Sequence, residues 1–114
     1  MAAVVDPLRY NNLVSLGEAD AARQAPFVDD TINGPIRDVF IKHGVQDIFC
    51  LYLQHRHHTI DEGQAVVKVN GTAHLMNGQA MNDIVAFGNK IVPTTWMTSG
   101  DEVIPMELTV APLG

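Results

Sequence analysis

Cysteine is almost missing from this chain. Cys50 is the single one among 114 residues, so no intrachain disulfide can form, which suits a reducing compartment. That thiol sits in an apolar run and reads as a small core residue. Long hydrophobic runs are missing too, since nothing approaches the roughly 18 apolar residues of a membrane-spanning helix. The opening MAAVVDPLRY has no basic residue ahead of its short apolar stretch, and Asp6-Pro7 ends that stretch, so no leader peptide is expected. Basic residues are few and scattered: 7 Lys and Arg against 13 Asp and Glu leave a formal charge of −6. That balance argues against nucleic acid and against an anionic membrane surface as partners. No internal repeat, phosphate-cradling glycine loop or serine nucleophile elbow is present. The expectation is a soluble, cytoplasmic protein.

What is present is a globular composition, with 46% hydrophobic and 18% charged residues, enough for one core. Residues 1–34 read as an N-terminal arm with a short helix at 17–25, and residues 35–114 as a single β-rich domain. PIRDVFIKHG, 35–44, has a proline suited to the first helical turn, apolar residues at helical spacing and a terminal glycine. DIFCLYLQHRH, 47–57, reads as a long strand with Leu53, His55 and His57 on one face. QAVVKVNGTAHLM, 64–76, reads as a hairpin on a two-residue Asn70-Gly71 turn. That register sets Val67 opposite His74 and turns both inward, with Lys68 on the wet face. Residues 77–89 read as loop, KIVPTTWM (90–97) as an edge or bulged strand because of Pro93, and EVIPMELTV (102–110) as a closing strand. On that last strand Met106 faces inward and Glu107 outward. The fold class is α+β, mainly antiparallel β: a small rolled sheet or barrel of about five or more strands with N-terminal helices.

The chemistry concentrates in QHRHHTID, 54–61, where three of the five histidines fall within four positions. His55 and His57 share a strand face, and His58 points away. Three readings stand side by side. The pair can be structural, hydrogen-bonded to backbone or to a nearby acid. It can be an acid–base dyad, because imidazole titrates near neutral pH. Or His55, His57, Glu62 and His74 can converge as a first shell for one transition metal. Arg56, between the two, can clamp a ligand carboxylate.

The spacing His55-x-His57-x4-Glu62 resembles the first motif of the cupin superfamily, which implies a small β-barrel and a metal. Two features depart from that pattern: Gly71 comes late, and Trp96 stands where a second-motif histidine belongs. A longer stretch over roughly residues 42–108, KHGVQDIFCLYLQHRHHTIDEGQAVVKVNG followed by IVPTTW and IPMEL, resembles a group of small proteins common in filamentous fungi. Their recurrent pattern is a Leu-x-His-Arg-His-Phe strand, a Val-Pro-x-x-Trp element and a Pro-Tyr-Glu-Phe ending. This resemblance puts His55, Arg56, His57, Trp96 and Glu107 at motif positions and implies no activity.

The expectation is a pocket enzyme acting on a small, largely apolar metabolite through His55 and His57, by an isomerase, cyclase or lyase type of step. Arg56, Trp96, Leu53, Val67 and Met106 are the expected substrate contacts. The alternatives are a cupin-like metal-dependent protein and a non-catalytic ligand-binding protein. A small molecule is the expected partner, the cofactor is none or one transition metal ion, and homo-oligomerisation is left open.

Overall fold

The structure is a computed structural model that describes residues 5–112. The first four residues of the expected N-terminal arm lie outside that range. The chain groups into two compact units: residues 5–13 with 58–112, and residues 14–57. The expected boundary at residue 34 falls inside the second unit.

The first unit is built on a sheet. Its hairpin forms as the turn chemistry requires. Strands β1 (Ala65–Val69) and β2 (Thr72–Met76) pair antiparallel with Val69 opposite Thr72 and Val67 opposite His74. Asn70 and Gly71 both take positive φ, 51° and 83°, the signature of a type I′ turn. Helix α5 (Gly78–Ala86) follows, then β3 (Asn89–Ser99) and β4 (Glu102–Pro112). The strand order is β2-β1-β4-β3, with β1 and β4 parallel and the other pairs antiparallel. Pro93 lies on the edge strand β3, next to two register shifts. One leaves Thr94 unpaired on β3 and the other leaves Met106 unpaired on β4, so the two extra residues offset each other. As a result Met106 and Leu108 enter different core clusters, although strict alternation would set them together.

Helix α1 (Pro7–Asn11) belongs to this unit. Asp6 caps it by accepting from the Leu8 and Arg9 amides. Its Tyr10 and the following Leu13 enter the core beside Ile60, Val66 and Met97. The Asn11 side chain then mimics a strand neighbour: its Nδ2 donates to the Ile60 carbonyl, and its Oδ1 accepts from the Ile60 backbone amide, each at 2.8 Å.

The class is α+β with N-terminal helices and a mainly antiparallel sheet. Among the described residues the sheet has four strands and is open, with β2 and β3 as its edges, so it does not close into a barrel. Residues 77–89, expected as loop, contain α5, whose first turn is capped by the Asn77 side chain accepting from the Ala80 amide. The outer face expected for Lys68 and Glu107 is covered. Glu107 is 6% exposed, and its Oε2 lies 3.2 Å from Lys68 Nζ.

The second unit is helical. Helix α2 (Leu16–Arg23) starts on a capping box between Ser15 and Glu18. Helices α3 (Pro26–Thr31) and α4 (Arg37–Lys42) are joined by a π-helical turn, Ile32–Ile36. The expected first-turn proline, Pro35, sits inside that turn. A proline there removes a donor and crowds the preceding carbonyl; the wider turn, in which the Arg37 amide reaches back to the Ile32 carbonyl, accommodates it. Gly44, at φ 65°, ends the run. The long strand expected over 47–57 does not form. Residues 46–48 turn, and Arg56 makes one isolated parallel bridge to Ser15. A strand needs a ladder partner, and within this unit only Ser15 supplies one. Cys50 is consequently exposed rather than in a core. Among the described residues no helix is long and apolar enough to cross a membrane.

Candidate functional site

His55 and His57 sit on the irregular segment that follows α4, fixed by backbone rather than by a sheet. The Arg56 amide donates to the Val14 carbonyl at 2.9 Å, and this pins the residue between the two histidines. Their rings then meet edge to face, with centroids 4.7 Å apart and planes at 87°. Nε2 of one lies 3.1 Å from Nε2 of the other. His55 Nδ1 contacts the Leu53 carbonyl. A carbonyl only accepts, so this contact is a hydrogen bond in the tautomer that carries its proton on Nδ1. In that neutral tautomer the His55 Nε2 accepts and His57 donates through its own Nε2 across 3.1 Å. His57 Nδ1 is then the unprotonated ring nitrogen, on an exposed side chain.

The His55 ring also stacks on Tyr52, with centroids 5.4 Å apart and planes 15° from parallel. Tyr52 lines an open groove of about 690 Å³ within the helical unit. Leu53 lines it as well, together with Val28, Ile32, Ile36 and Leu51; Arg23 and Gln54 are its polar side chains apart from the Tyr52 hydroxyl. The size is that of a small-molecule site. Tyr52 thus touches both the groove and the dyad.

The remaining residues singled out from sequence lie elsewhere. Arg56 is half-buried, anchored through its backbone. Val67 and Met106 are fully buried in the sheet unit, in two different core clusters. Trp96 is 44% exposed on β3. Glu62 is exposed in the turn before β1. His74 holds the expected register opposite Val67, yet its side chain is exposed, because β2 is an edge strand. His58 is exposed, its ring centroid 6.2 Å from that of Tyr10. Among the described residues of either unit, no three His, Cys, Asp or Glu side chains stand close enough to hold a metal ion.

Sequence reasoning missed the groove wall. Its signal was there: Val28, Ile32 and Ile36 recur every fourth residue, one ridge of a helix. Gly34-Pro35 masked it, since that pair reads as a break. Compared with known protein families, curated proteins and solved structures, the chain matches none.

Proposed function

We propose that the chain is a small-molecule enzyme that moves protons with the His55–His57 dyad on an apolar ligand seated in the helical groove. The observation that carries this reading is the 3.1 Å Nε2–Nε2 contact, taken in the tautomer in which His55 Nδ1 donates to the Leu53 carbonyl. In this reading His57 Nδ1 accepts a proton from a substrate carbon, and the His57 Nε2 proton passes to His55 Nε2. The resulting imidazolium is anchored at Leu53 and stacked on Tyr52. The relay then runs backwards and returns a proton to a second substrate atom. Substrate and product have the same composition, so an isomerisation needs no co-reactant.

Convergent Nε2 atoms favour a second reading as well, in which both coordinate one transition metal and solvent completes the shell. One experiment separates the two. Unsaturated and enolisable carbonyl compounds that bind by NMR are incubated with protein in D2O, with and without a chelator, and deuterium uptake is read by mass spectrometry. The acid–base reading expects uptake that survives chelation and disappears in His57→Ala. Uptake that stops with chelator supports the metal, and uptake that persists in His57→Ala removes the dyad from the chemistry.

A further inference from the structure

The groove adjoins a second cavity of about 390 Å³, and both are lined by Ile32, Ile36 and Leu51. Together they follow the run of residues 28–41, which rises about 20 Å at about 1.5 Å per residue. The charge along them is one-sided. The chain carries 13 acids against 7 Lys and Arg, yet no carboxylate lines either cavity, and the charged lining residues are Arg23 and Arg37. Arg37 is the more closely paired of the two: Nε and Nη2 lie 3.1 and 3.0 Å from Asp38 Oδ1, although this pair too is exposed, at 56% and 66%. Arg23 is held loosely, 3.6 Å from Asp29, with side chains 46% and 67% exposed. An exposed pair of that geometry is weak and exchanges its partner readily.

We propose that the ligand is a linear monocarboxylate of fatty-acid type. Its head sits on the Arg23 guanidinium, and its tail runs over Ile32, Ile36 and Leu51 toward Phe40. The proposal rests on the groove being a ligand site, and it names the ligand class. A guanidinium offers a carboxylate two parallel donors, Gln54 supplies a further donor in the same cavity, and the rest of the wall suits an acyl chain.

The test is an NMR titration of the full chain with sodium decanoate and, separately, with 1-decanol, read at the amides of residues 51–54. Decanoate is expected to bind about tenfold more tightly than the alcohol, as for one charge-assisted contact. Arg23→Gln should bring the two to parity, and Asp29→Asn should tighten decanoate further by freeing the guanidinium. Equal affinities in the unaltered chain would overturn the head-group assignment while leaving an apolar ligand site in place. If neither compound perturbs residues 51–54, the proposal and the groove reading fall together.

Discussion

The two units treat their apolar residues in opposite ways. In the sheet unit Val66, Val67, Met97, Met106 and Leu108 are each 3% exposed or less. In the helical unit Ala19 is the buried residue, while Phe27, Ile41 and Ile48 are 69%, 57% and 72% exposed. Packing density sets stability, and open apolar surface is where a ligand gains most by binding. The histidine dyad and the groove both belong to the unit with little core of its own. A region of low packing can adjust around a ligand, and a filled core cannot.

The sharpest way to break this contrast is to truncate one apolar side chain in each unit. Met106→Ala removes a fully buried side chain and should cost about 2–5 kcal/mol. Ile36→Ala removes a partly buried side chain from the groove wall and should cost about 1–2 kcal/mol. Denaturant midpoints at unchanged slope measure both. Equal losses would mean that the helical unit is as tightly packed as the sheet. The next effect in size concerns Lys68 and Glu107, 3.2 Å apart with Glu107 nearly buried. Lys68→Met removes the cation beside a nearly buried carboxylate and should cost about 1–3 kcal/mol, below the range for a fully buried pair because Lys68 is 37% exposed. Replacing both by Met should restore most of that loss, since no charge is then left uncompensated.

The sheet unit was also the more legible one. Asn70-Gly71 fixes a hairpin by local backbone geometry, and Pro93 marks an edge by its missing donor; neither inference needs a distant partner. The segment 47–57 was misread because its alternating pattern says only how side chains would point if a neighbouring strand were supplied. That its histidines meet is nevertheless consistent with their i, i+2 spacing, which brings side chains to one side of any extended backbone. The groove wall stayed hidden behind Gly34-Pro35, because a π-helical turn that carries a proline through a helix has no short sequence signature. The exposure of His74 depends on which strand ends the sheet, and the local pattern of a hairpin does not contain that.

The smallest effect tests the contrast by its sign. Gly71 sits at φ 83°, and a Cβ built there meets nothing within 4 Å. Any cost of Gly71→Ala is therefore conformational rather than steric, and about 1 kcal/mol is expected from the left-handed backbone alone. Gly17, in the first turn of α2, also has open space around a Cβ but no positive φ. There the same substitution removes freedom from the unfolded chain and favours the helix, so Gly17→Ala should stabilise by about 0.5 kcal/mol. Thermal and denaturant melts of the two variants should move in opposite directions. A d-alanine placed at position 71 by chemical ligation accepts positive φ and should recover the loss. If Gly71→Ala is neutral, the type I′ turn is not what holds the hairpin, and the register that sets Val67 opposite His74 must be held by the strands instead.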